Sequence, residues 1–470
     1  MVARLSSLFL LSVVALTSAA QADLSISNQP MQNMDCQAGV CTATSKKAVL
    51  NVGDLQTMLA GGDVTVKTGA VAKDIAVDQP LSWSSTNRLT LDAQRSVTVK
   101  KPVTVAGQGA VTIMTNDGAS DGDLYFFGKG QITFWNLSSS LVINSESYTL
   151  AGDLPTLAAD MNAVDGGSFA LTNDYDSQVT YKHSPIEYFQ GNFEGLGHTI
   201  RHFKLRGGSY HTAGLIGETG GGTIRDIYLK QVDVQNGNKL YVGGLIGNNG
   251  YGAAIINTSV DGKVTAKYHD GAVGGLVGYN AGGLVLRSRS AATVIGNSAF
   301  IGNSAGGLVG QNAGIVDQSY ATGAVSGKVA GGVVGTNPMT GTSLTNSYAT
   351  GPVTSGQGGG GFIGVAGSAP GLIATSRCYS TGCVQSEGIA GGFAGDDSSL
   401  TVSQSYWDLD TSGISDAGQG AGTPHDDPGI SGLTDGQLRS ALPQGFDPAI
   451  WRQSQKINNG YPYLRANPPR

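Results

Sequence analysis

Gly307-Leu308-Val309-Gly310-Gln311-Asn312-Ala313-Gly314, followed by Ser319-Tyr320-Ala321-Thr322-Gly323-Ala324-Val325, decides the fold, because it is one copy of a recurring unit. The tetrapeptide also stands at Gly214-Leu215-Ile216-Gly217, Gly244-Leu245-Ile246-Gly247 and Gly275-Leu276-Val277-Gly278. Variants follow at Gly332-Val333-Val334-Gly335, Gly361-Phe362-Ile363-Gly364 and Gly392-Phe393-Ala394-Gly395. Copies spaced by about 30 residues fall within the range of solenoid repeats. An asparagine stands two places after the tetrapeptide at Asn249, Asn280, Asn312 and Asn337, and the second phrase returns from Ser347 to Val353 and from Cys378 to Val384. Each unit reads as short strand, Asn/Gly turn, short strand, Gly turn.

Units this small cannot bury an apolar face alone and must stack on copies of themselves. Helical repeats need uninterrupted helix formers, and glycine at this density forbids them. The remaining architecture is a right-handed parallel β-helix, each strand pairing with its copy one turn away at about 4.8 Å. In such a stack the four asparagines form a hydrogen-bonded ladder or occupy left-handed turn positions; both readings stay open. The glycines permit sharp corners and close backbone approach. Tyr320, Tyr348, Tyr379 and Tyr406 form a further column. It is a candidate ligand strip for stacking on sugars, although cross-strand aromatic packing already accounts for it.

Composition agrees with a solenoid. Of 470 residues 72 are glycine and only 13% are charged, while the 40% hydrophobic content exceeds what a disordered chain supplies. A net charge of -6 without any basic run argues against nucleic-acid binding. Arg4, the apolar stretch from Leu8 to Leu16 and Ala20-Gln21-Ala22 predict a signal peptide over residues 1–22. Export to the cell surface, the medium or the periplasm follows, and no later run is long enough to span a membrane. Four cysteines in an exported chain suggest disulfides; local pairs, Cys36 with Cys41 and Cys378 with Cys383, are the simplest of three connectivities. Zinc fits these spacings poorly.

Outside the repeat, residues 23–46 form an N-terminal segment with the first cysteine pair. Residues 47–150 alternate strongly, as at Asp63–Lys67, Arg88–Asp92 and Ser96–Lys100, and read as irregular coils of the same solenoid. Short helices are predicted at Asp54–Leu59 and Asp153–Asn162, each opened by a capping aspartate, the second within a transition segment at 151–210. The repeat proper occupies 211–400. Residues 401–470, with a helix over Thr434–Ala441 and aromatics at Phe446, Trp451, Tyr461 and Tyr463, read as a cap over the open strand edges.

The Gly-Leu-Ile/Val-Gly units with Ser-Tyr-Ala-Thr-Gly resemble the GLUG repeats of filamentous-haemagglutinin-like adhesins and of proteins carrying IgA-specific peptidase domains. Pro80-Leu81-Ser82-Trp83-Ser84, Asn136–Leu141, Gly191–Ile200 and Ile457–Leu464 are similar to phrases of large bacterial haemagglutinin-type exoproteins. The resemblance implies a secreted β-helix that attaches to surface glycans or proteins. It supplies no active site, and neither the secretion domain nor a translocator barrel of such proteins is recognisable.

Chemistry is not expected. The peptidases' metal motif needs two histidines one helical turn apart with a glutamate beside the first, which none of His183, His198, His202, His211, His269 and His425 satisfies. His198 and His202 flank a strand, which would hold them more than about 10 Å apart. Carboxylates for a carbohydrate-active β-helix enzyme would come from Asp117, Asp121 and Asp123, or from Asp174 and Asp176. Such Asp/Gly/Asn loops are usually solvated turns, with calcium binding a weaker reading. No catalytic, cofactor or metal residue is therefore expected.

Overall fold

A computed structural model describes residues 23–119, 121–164, 166–206, 211–236, 240–250, 252–267, 271–298, 303–339, 341–366 and 373–469. The segment expected to be a signal peptide lies outside them. The chain forms an all-β solenoid of about 13 turns. In the repeat region Ile216, Ile246, Val277, Val309, Val334, Ile363, Ala394 and Ala421 stand one over the next in parallel register. The first two residues of the tetrapeptide form the corner that precedes this sheet. Its second residue, from Leu215 through Leu245, Leu276, Leu308 and Val333 to Phe362 and Phe393, points inward and is fully buried. The two phenylalanines stack at 4.9 Å between ring centroids. Close approach explains the last glycine: a Cβ on Gly310 would lie 2.6 Å from Val273 N and 2.7 Å from Gly278 O.

The four asparagines settle as a ladder. Asn249 Nδ2 donates to Asn280 Oδ1 (2.9 Å), Asn280 to Asn312 (2.8 Å) and Asn312 to Asn337 (3.3 Å), all at zero exposure. The left-handed positions belong to another column: Asp226, Asn257, Arg287, Gln318, Asn346, Arg377 and Gln404, with φ between 46° and 56°. From Asp226 to Arg377 their amides still donate to the next coil, so the backbone ladder runs through the corner. Beside it runs a hydroxyl column in which Ser288, Ser319 and Ser347 each accept from the backbone of the preceding coil.

The turns fall into two solenoid sections, each with its own core. Up to Ile143 the coils enclose a core that includes Leu24, Ile75, Val97, Leu89, Val111 and Leu141. The strands Ser140–Ile143 and Glu146–Ala151 then pair antiparallel across Asn144 and Ser145, both at positive φ. Strand direction reverses, and so does the buried side of the shared sheet. Leu150 and Ala170 face the first core, whereas Ala151, Phe169 and Leu171 face the second. The last coil of the first solenoid consequently packs on the outer face of the second. Period-two alternation within single strands carries no mark of this switch.

Helix α1 (Val52–Gly61) is capped by Asn51 and not by Asp54, because Asn51 Oδ1 accepts from Gly53 N and Asp54 N. Helix α2 (Leu154–Ala163) is capped by Asp153, and α3 (Asp435–Ser440) by a Thr434/Gln437 capping box. Solenoid strands continue past residue 400, at Ser405–Asp408, Ala421–Thr423 and Ile430–Leu433. After α3 the chain turns back along the side of the rod, since Tyr406 OH bonds Gln444 O, Tyr379 OH bonds Pro462 O and Asn467 Nδ2 bonds Ser288 O. The C-terminal segment therefore runs as a strap along several coils. No helix among the described residues is long and apolar enough to cross a membrane.

Candidate functional site

The tyrosine column lies beneath this strap. Tyr320, Tyr348 and Tyr379 stack at 4.6 and 5.0 Å and are at most 3% exposed; Tyr406 is 8% exposed. They form one apolar cluster with Phe446, Trp451, Tyr461 and Leu464. Reading them as an open ligand strip is corrected: the column packs, and what covers it comes from far downstream. Cys36 and Cys41 are disulfide-bonded. The expected second pair is also corrected, because Cys378 and Cys383 are both free. Cys378 occupies a rung of the serine column, its backbone N–H donating to Ser405 Oγ as that of Ser319 donates to Ser347 Oγ, with its thiol against Ser376 O at 3.3 Å. Burial pushes that thiol's pKa up. Cys378 is buried in this inward column, whereas Cys383 is partly exposed.

The candidate carboxylates do not converge on one site. Asp117 is exposed beside Asp92, whereas Asp123 belongs to the joint between the solenoids, where it pairs with Arg225 at 2.8 Å and with Arg287. Burial opposes its charge, yet the two guanidiniums hold its pKa below the usual range. Arg225 also contacts Asp226 (2.7 Å) and Glu194 (3.3 Å) and donates to Leu124 O. Burial first, and Asp226 beside it, raise Glu194 well above ordinary carboxylates. His198, fully buried, bridges Asp174 Oδ1 (3.2 Å) and Ile132 O (2.9 Å) across the same joint. His202 is partly exposed and pairs with Asp176. Asp123, Arg225, Arg287 and His198 fasten the two sections together, and no group of three or more side chains that could hold a metal ion occurs among the described residues.

What sequence reasoning missed is the cleft the joint and strap create. Its volume is about 940 Å³, near the upper end for ligand pockets. The floor is the outer face of the first solenoid, where Ala76, Thr98 and Tyr125 lie in register on neighbouring strands. Tyr125 and Phe127, two apart on the strand edge, hold near-parallel rings 5.9 Å apart. Arg287 donates to Tyr125 OH at 2.8 Å, tying this floor to the joint. Lys73, Arg95 and Lys100 flank it, and the opposite wall is the strap, with Arg452, Tyr463 and Arg465. Nothing local could have announced it, since it joins residues 73–127 to residues 452–468.

Comparison with known proteins agrees with this architecture. The family described as the GLUG motif matches residues 240–265. Halomucin of Haloquadratum walsbyi is 29% identical over 289 residues, covering 59% of this chain. The chain spans about 3% of that relative's length. A structure from Bacteroides ovatus described as an immunoglobulin A1 protease superposes with a TM-score of 0.51 at 21% identity, over 68% of this chain and 93% of that one. At that identity the likeness speaks to the fold alone.

Proposed function

We propose that this chain is an exported, non-catalytic attachment protein, holding surface carbohydrate or protein in the cleft between its first solenoid and its C-terminal strap. The observation that carries the reading is the cleft itself, a large concave site with aromatic floor and polar walls on a rod of stacked coils. Sites of this kind bind by preorganised shape, with few convergent polar groups fixing orientation. Ladders of asparagine and serine keep such a rod rigid without a helical scaffold. The GLUG match and the similarity to halomucin support a place outside the cell, as does the signal-like N-terminus. The joint chemistry fits attachment better than turnover, because its buried carboxylates are spent on arginine and histidine partners. An antibody should label the protein on intact cells, and cells lacking its gene should lose attachment to glycan- or protein-coated surfaces. Unchanged attachment in the deletion strain would refute the reading.

A further inference from the structure

The cleft is charged against the trend of the chain. The whole sequence carries a net charge of -6. The cleft wall, however, presents five cations, Lys73, Arg95, Lys100, Arg452 and Arg465, against two carboxylates, Asp74 and Asp121. Asp74 is already engaged by Arg95 through two hydrogen bonds, one of 2.8 Å. Lys100 reaches Asp78 at 2.9 Å, just outside the lining. The cations sit on both walls, three on the solenoid and two on the strap, with the aromatic pair between them. Cations on opposite walls attract an extended anion and focus its approach. Flat aromatic surface between them suits the apolar face of a pyranose ring and gives no advantage to a flexible acidic peptide.

From this juxtaposition we infer that the cleft binds an acidic oligosaccharide, one whose sugar rings lie on Tyr125 and Phe127 while its carboxylates meet Arg452 and Arg465 on one wall and Lys73 on the other. The inference rests on the attachment reading and names its ligand class. Guanidinium groups hold carboxylates through paired N–H donors, which fixes ring orientation as well as adding affinity. Partly solvated contacts of this kind weaken as salt rises.

The test uses the full mature chain, titrated calorimetrically with a galacturonate hexamer, with the same hexamer after reduction of its carboxylates to alcohols, and with polyglutamate of equal charge. Binding of the acidic hexamer is expected, at least tenfold tighter than the reduced one and weakening between 50 and 500 mM salt. The double variant Arg452→Gln/Arg465→Gln should lose at least tenfold for the acidic hexamer. Phe127→Ala should weaken the hexamer and leave polyglutamate unchanged. Circular dichroism of both variants must match the parent. Equal binding of the reduced hexamer, lost in Phe127→Ala, would overturn the acidic class and leave attachment through the cleft standing. Polyglutamate binding as tightly as the hexamer would overturn the sugar class. If no hexamer binds while the attachment assay on cells succeeds, this inference alone falls; if attachment fails as well, the parent reading falls with it.

Discussion

Asn280→Ala probes the ladder at its middle. Asn280 Nδ2 donates to Gly283 O (3.0 Å) and Asn312 Oδ1 (2.8 Å), and its Oδ1 accepts from Asn249 at 2.9 Å. Alanine removes three hydrogen bonds, each worth about 1 kcal/mol net. The neighbours keep other partners: Asn249 retains Ala253 O, Asn312 retains Gly314 N, and Gly283 O retains Ile315 N. No group is left wholly orphaned, so the loss should stay near 3 kcal/mol. Asn337 ends the ladder, accepting one bond at 3.3 Å while its own Nδ2 has no partner among the described residues. Asn337→Ala should therefore cost only about 0.5–1 kcal/mol. Urea denaturation of both variants measures the difference, and amide exchange at Asn249 and Asn312 localises it. Equal costs at the two positions, or a loss below about 1 kcal/mol at Asn280, would refute the ladder as a cooperative support.

A Cβ at Gly310 would collide with backbone, so Gly310→Val should cost about 3 kcal/mol or more, or abolish folding. Gly61→Ala, at the open end of α1 with nothing within 4 Å of the new atom, should be neutral or stabilising in the same melts. Under native conditions an alkylating reagent should modify Cys383 and spare Cys378 until the chain unfolds; mass spectrometry reads the ratio, and Cys378→Ser should keep the parent melting temperature within a few degrees. Asp397 is pushed up to about 7 by burial and by the adjoining Asp427. The unfolded value is about 3.9, so the folded state holds an extra proton between these values and loses stability as pH rises through that window. Asp397→Asn should flatten this dependence and raise the melting temperature at pH 8 relative to pH 5, read by thermal scans.

Repeat spacing made the parallel stack legible, because like residues in like positions must coincide when identical units coil. The same logic identified the asparagine column without deciding its geometry. It could not separate it from the left-handed corner, whose occupants Asp226, Asn257, Arg287, Gln318, Asn346, Arg377 and Gln404 share no single residue type. The alignment of Cys378 with Ser319 and Ser347 was visible, yet pairing cysteines by proximity hid its meaning. Burial of Tyr348 and Tyr379 depends on Trp451 and Phe446, more than 60 residues downstream of either tyrosine. Periodicity reports what neighbours one coil away do and is silent about a strap that returns along the rod. Nor could it reveal the two-solenoid joint, because the reversal at Asn144-Ser145 looks like any polar turn.

Register of the stack is tested most directly by paired cysteines in a Cys383→Ser background. Glu218, Asn248 and Tyr279 occupy one outward column, each over the next in adjacent coils. Neighbours in such a column lie about 4.8 Å apart, inside the range a disulfide spans, whereas positions two coils apart do not. Mild oxidation should cross-link Glu218→Cys with Asn248→Cys to completion and leave Glu218→Cys with Tyr279→Cys reduced. Cross-linking of the second pair in place of the first, or of neither, would contradict the stacked register on which the fold and its cleft depend.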